Sequence, residues 1–220
     1  MTDVRGEPLG PDERRARAPR EQAAPSIPIR VDWIEPALLN DGEPGRLGLT
    51  HLPGKHGISF RYPGLEYRRD LGDDLAALRG MGVGFLLLLV EDHELQLWGD
   101  LRIVQAGKEA GIEVRRHPIP DGGVPQGPEA IAELLVELRA ARERADAAVA
   151  CMGGVGRTGL VASCALVEGG LAPAEAIEVI RRLRHPDAVE TAVQQQFVET
   201  YADWAARPNR ADTTGSGSAD

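Results

Sequence analysis

The sequence predicts a single α/β domain with a mostly parallel central sheet flanked by helices. Three observations carry this expectation. Residues 83–90 form an unbroken apolar run, the pattern of a strand buried on both faces. Strand-like and helix-like stretches alternate along the chain, as they do when parallel strands are joined by helical crossovers. Residues 147–150 are a short apolar stretch that runs into a glycine-rich turn and then a fresh helical pattern. In sheets of this kind, loops beyond the carboxyl ends of the strands hold ligands.

Composition sets the outer limits. A chain of 220 residues with 42% hydrophobic content can bury a sizeable core within one domain. Residues 1–25 are rich in Pro, Arg, Glu and Ala with charges that nearly cancel, and read as a disordered tail; residues 208–220 read as a second. The ordered domain is therefore expected over residues 26–207. Arg14, Arg15, Arg17 and Arg20 are followed by no apolar segment, so the N-terminus is not a secretory signal. No apolar run approaches the roughly 18–20 residues of a membrane span. A net charge of −9 argues against non-specific binding to nucleic acid or an anionic membrane. Cys151 and Cys164, about three helical turns apart, lie outside disulfide reach and read as free thiols of a reducing cytoplasm.

The elements follow in order. Residues 29–34 alternate as a strand, and residues 45–52 give a second that ends in Pro53 and Gly54. Asp70 is placed to cap a helix through Leu75, Leu78 and Met81 that stops at Gly82. The buried strand 83–90 comes next. Asp100 is expected to cap a helix through Leu101, Val104 and Lys108 that ends at Gly111. Residues 112–119 are a strand that leads to the turn Pro120, Asp121, Gly122, Gly123. Ile131, Leu134, Leu135 and Leu138 mark one apolar face of a helix over residues 129–144. After the strand at 147–150, helices are expected over residues 158–166, 173–183, with Pro173 in its first turn, and 194–206.

The loop from Cys151 to Arg157 has the makings of a phosphate cradle containing a nucleophile. Gly153, Gly154 and Gly156 let successive backbone N–H groups turn inward, and Met152 and Val155 complete the lining. The loop feeds a helix N-terminus, whose partial positive charge favours an anion. Arg157 adds a planar fork that stays charged at any working pH. The same field should depress the Cys151 thiol below its unperturbed pKa of about 8.5 and leave a thiolate able to attack phosphorus. Thr158 is placed to hydrogen-bond the sulfur. Asp121, in a glycine-flanked turn after a strand, can close over a substrate and protonate its leaving group. A surface arginine, an inert buried cysteine and an ordinary turn aspartate are the plain alternatives for each residue taken alone.

Cys151, Gly154, Arg157, Thr158 and Gly159 stand at the spacing of the signature loop of the protein tyrosine and dual-specificity phosphatases, and the chain resembles that superfamily. Over residues 45–204, with Leu52, Pro53, Gly54 and Lys55, and with His117 through Pro125, it is most similar to the branch associated with cyclin-dependent kinases. The resemblance implies a phosphocysteine intermediate on Cys151 and maps the general acid onto Asp121. Two departures stand out. The histidine that usually precedes the nucleophile is Ala150, and a glutamine that can position the hydrolytic water is Glu190.

The cradle carries no lysine or histidine of its own, which favours a monophosphate: a phosphorylated protein side chain or a small phosphomonoester. The five histidines show no ligand spacing, so neither a metal nor another cofactor is expected. Two other readings remain open. A phosphatase-like module that binds phosphoproteins without turnover would account for Ala150 and Glu190. A rhodanese-like sulfur carrier would account for Cys151 but not for Arg157, Thr158 and Gly159.

Overall fold

The middle strand of the central sheet, β7 (Asp146–Cys151), ends on the predicted nucleophile. The computed structural model describes residues 28–59 and 64–208, so the predicted tail at 1–25 and residues 209–220 of the other lie outside it. The sheet runs β1 (Asp32–Trp33), β2 (Leu47–His51), β7, β5 (Val83–Leu88), β6 (Glu113–Arg116). β2, β7, β5 and β6 are parallel, and β1 is antiparallel on the edge. The mostly parallel α/β expectation therefore holds.

Register fixes what lies near the end of β7. His51 is opposite Cys151 on one side, and Leu88 is opposite Ala150 on the other. Leu89 N–H extends the ladder to Ala150 O at 2.9 Å, and Ile119 N–H donates to Leu89 O at 3.0 Å. The segments that leave β2, β5 and β6 thus converge on the loop after Cys151. Inside the sheet, Ala147 to Ala150 and Leu86 to Leu88 are fully buried, as an apolar run without alternation requires.

Helices α1 (Pro36–Leu39), α2 (Leu71–Gly80), α3 (Asp92–Trp98), α4 (Ile103–Glu109), α5 (Pro128–Arg142), α6 (Gly156–Glu168), α7 (Pro173–Leu183) and α8 (Ala192–Ala205) surround the sheet. α6 is the buried one: every residue from Gly156 to Leu166 is inside. Such a helix needs close neighbours, and Gly159 provides the room, since a methyl there would stand 3.0 Å from Val189 N. α7 shows the opposite pattern, burying only Ala176, Ile177 and Ile180. α8 opens with a capping box in which Thr191 and Gln194 satisfy each other's backbone N–H groups.

Several sequence expectations are corrected. The first strand is only Asp32–Trp33, because Pro36 starts the short helix α1 a few residues later. Asp70 does cap α2, accepting the Asp73 N–H at 2.9 Å. Asp100 does not cap a helix: its carboxylate accepts the Arg102 N–H and guanidinium, and α4 starts at Ile103. Helix α3 and the antiparallel hairpin β3 (His56–Ile58) with β4 (Glu66–Arg68) were not anticipated. α3 is a short helix whose buried residues are Glu94 and Leu95 alone, and β3–β4 is an exposed pair with no buried face to create alternation.

Candidate active site

Cys151 is 3% exposed at the tip of β7. Burial pushes its thiol pKa up, yet the net shift is downward. The Arg157 charge, the Thr158 hydroxyl and the backbone N–H groups of Thr158 and Val155 outweigh burial. Thr158 Oγ1 is itself buried with no hydrogen-bond partner among the described residues, and its hydroxyl is one of the groups that favour the Cys151 thiolate. The loop reaches this geometry because Gly154 takes a left-handed φ of 66° in a space where a methyl would strike the Thr50 carbonyl.

Arg157 lies at the first turn of α6 and is 1% exposed. Its fork is held by Glu94, with Nη1 donating to Oε2 at 2.6 Å and Nη2 to Oε1 at 2.7 Å. Nη1 also donates to Ile119 O at 3.0 Å. Nε is buried with no partner among the described residues, which leaves one N–H of the guanidinium for an oxyanion. Burial opposes the charge, but the Glu94 hydrogen bonds and the charges of Cys151 and Glu94 raise the Arg157 pKa well beyond its ordinary value.

Glu94 escaped the sequence reading. It is 2% exposed, and its Oε2 also accepts the Glu91 N–H at 2.8 Å in the capping box of α3. A helix start thus aims a carboxylate beneath the guanidinium. Burial raises the Glu94 pKa, but the Arg157 and Glu91 hydrogen bonds take it below the usual carboxylate range. The only signal was an acidic cluster directly after an apolar strand.

Asp121 joins the same cluster. Its Oδ1 accepts from Arg157 Nη2 at 2.9 Å, while its side chain is 76% exposed. The turn that carries it is gripped by the start of α8: Thr191 Oγ1 donates to Gly122 O at 2.9 Å and Gln194 Nε2 to Gly123 O at 3.1 Å. The structure therefore brings Cys151, Arg157, Thr158 and Asp121 into one site. Met152, Gly153, Gly154, Val155 and Gly156 lie between Cys151 and Arg157.

The two departures have structural counterparts. Ala150 contributes only a fully buried methyl just before Cys151. Across the register, His51 is no cationic substitute. Burial, with Arg69 and Arg184 nearby, lowers its pKa to about 4, so it is neutral at physiological pH. Glu190 is an exposed residue, yet its carboxylate lies where a methyl at Gly156 would meet it. Val189, just before it, holds a left-handed φ of 59°, a strained setting for a β-branched residue.

Other sequence candidates take structural roles. Lys55 Nζ rests 4.1 Å from the Tyr67 ring centre. Trp33 is covered by the Arg46 guanidinium at 3.9 Å, and Trp204 packs on Tyr201. Cys164 is fully buried in α6, where burial and Glu168 push its thiol well up. Both cysteines are free. Among the described residues no group of three His, Cys, Asp or Glu is placed to hold a metal ion, and no helix is long and apolar enough to cross a membrane.

Comparison with known proteins points the same way. Residues 17–177 match the family model of cyclin-dependent kinase inhibitor 3. The rat cyclin-dependent kinase inhibitor 3 is 29% identical over 181 residues, 80% of each chain. The crystal structure of the kinase-associated phosphatase with its catalytic cysteine replaced by serine superposes with a TM-score of 0.71 at 27% identity, over 83% of this chain and 99% of that one. Tk-PTP in its active form gives a TM-score of 0.58 at 27% identity, over 74% of this chain and 93% of that one.

Proposed function

Because the chain belongs to the cyclin-dependent kinase inhibitor 3 family, whose fold is that of the dual-specificity phosphatases, we propose that it is a phosphoprotein phosphatase working through a phosphocysteine on Cys151. One observation carries the reading. A fully buried cysteine, which should be hard to ionise, has its pKa drawn down by Arg157, Thr158 and the loop N–H groups. That field also suits a phosphoryl group.

In the first step the Cys151 thiolate attacks phosphorus in line, the ester P–O bond breaks, and protonated Asp121 gives its proton to the departing oxygen. The loop N–H groups and Arg157 Nε–H hold the equatorial oxygens. In the second step water attacks phosphorus, its proton passes to the Asp121 carboxylate, and the S–P bond breaks. The Thr158 hydroxyl and the Val155 N–H receive the thiolate. No metal or other cofactor enters either step.

The substrate is a phosphorylated protein side chain or a small phosphomonoester. Arg157 supplies the fixed side-chain charge of the cradle, and neutral His51 adds none, so a single phosphate is matched and a polyphosphorylated headgroup is not. Two free thiols fit a reducing compartment, and we place the enzyme in the cytoplasm.

The test is turnover of phosphotyrosine and phosphothreonine peptides by the wild type and by Asp121→Asn. The variant keeps a hydrogen-bond acceptor for Arg157 but holds no proton to donate, so kcat on the peptides should fall by roughly 10²–10⁴-fold. The fall should be smaller on 4-nitrophenyl phosphate, whose leaving group needs less protonation. Wild-type turnover no higher than that of Cys151→Ser at any pH would overturn the enzymatic reading in favour of phosphoprotein binding without catalysis, the role that Ala150 and the Glu190 carboxylate would then explain.

A further inference from the structure

Arg184, at the carboxyl end of α7, reaches across to the phosphate loop. Its Nε donates to Gly154 O at 2.9 Å and its Nη2 to Gly153 O at 3.2 Å. Its Nη1 donates to Asp32 Oδ2 at 2.7 Å, in the edge strand β1. Both side chains are largely inside, 9% and 12% exposed. Three elements far apart in sequence therefore meet behind the loop.

The consequence follows from peptide geometry. In a planar trans peptide the C=O and the next residue's N–H point in opposite directions. Holding Gly153 O outward turns the Gly154 N–H inward, and holding Gly154 O outward does the same for the Val155 N–H. That Val155 N–H is among the donors that bear on Cys151. Arg184 and Cys151 thus act on the two ends of one peptide unit. Glycine at 153 and 154 leaves these peptides free to rotate, so something must hold them. Ala150 behind the nucleophile has no polar group with which to do it.

We propose that Asp32 and Arg184 are a positioning pair that holds Gly153 and Gly154 in the anion-binding conformation, so that the N–H groups of Gly154 and Val155 face Cys151 and a bound phosphate. This rests on the reading of the loop as a phosphate cradle. Asp32 acts through Arg184: it fixes one arm of the guanidinium and leaves Nε and Nη2 aimed at the two carbonyls. Neither residue touches the reacting atoms.

The experiment uses the full chain and does not depend on turnover. Alkylation of Cys151 by iodoacetamide is followed against pH, with and without inorganic phosphate, in the wild type, Asp32→Asn, Arg184→Lys and Arg184→Met. In the wild type the alkylation midpoint should lie below the ordinary thiol value of about 8.5, and phosphate should protect. Arg184→Met should raise the midpoint and weaken protection roughly ten- to a hundredfold. Arg184→Lys, which keeps the charge but reaches only one carbonyl, should recover part of both. Asp32→Asn leaves the arginine in place and should move both readouts in the same direction by several-fold.

A purely structural role would lower the melting temperature and leave the midpoint and protection of the folded protein unchanged; that result in Asp32→Asn and Arg184→Lys would overturn the proposal. Absence of phosphate protection in the wild type would instead overturn the cradle reading itself.

Discussion

Cys151→Ser is expected to remove turnover, by on the order of 10⁴–10⁶-fold in kcat, while the protein still folds and still binds phosphate. The site lowers the pKa of a thiol with an ordinary value of about 8.5; a serine hydroxyl starts so much higher that the same field leaves it neutral. Size is not at issue, since serine is no larger than cysteine and the position is 3% exposed in a tight strand end. The groups proposed to bind the anion are elsewhere, in Arg157 Nε and the loop N–H groups. The check is kcat on a phosphotyrosine peptide together with phosphate affinity by calorimetry. Residual turnover within tenfold of wild type would mean that the cysteine is not the nucleophile.

Glu94→Gln should have the largest effect on stability. The carboxylate and the Arg157 guanidinium are 3% and 1% exposed and joined by two short hydrogen bonds. Removing one charge leaves the other buried, with the neutral amide oxygen, the exposed Asp121 and backbone carbonyls as partners, at a cost of about 3–5 kcal/mol. For a domain of this size that corresponds to a fall in melting temperature of roughly 6–20 °C. Activity should fall too, since Glu94 sets the plane of the fork.

Acid adds a second signature. The Glu94 pKa is lower folded than unfolded. Its contribution is therefore present above the unfolded value and fades as pH falls through the folded one, because the unfolded state then takes up the proton first. The variant should lack that part of the acid limb. Thermal denaturation at neutral pH and across the carboxylate range reads both effects. An unchanged melting temperature would show that the pair does not hold Arg157.

What the sequence revealed and what it hid follow a physical rule. Residues 83–90 announced a buried strand because burial on both faces removes polar residues from the pattern, and Asp70 announced a helix start because its cap is local. The strand, glycine loop and helix start that join Cys151 to Arg157 were legible because they are contiguous. Asp121 was suggested by its turn and by family resemblance, and the ion pair with Arg157 now gives it a place.

Glu94 and Arg184 were hidden for one reason. Each acts through partners 63 and 30 residues away, at Arg157 and Gly154, and nothing in the local pattern distinguishes them from solvated charges. Asp100 misled for the converse reason, since an Asx-like turn and a helix cap use the same side chain two residues apart.

If phosphoryl transfer passes through Cys151, acid quenching during turnover of a phosphotyrosine peptide will trap the phosphoryl group there. Mass analysis of the digested protein should find one phosphoryl group on the peptide that contains Cys151, absent in Cys151→Ser. Turnover with no phosphorylated cysteine at any quench time, or with the phosphoryl group on another residue, would contradict the account.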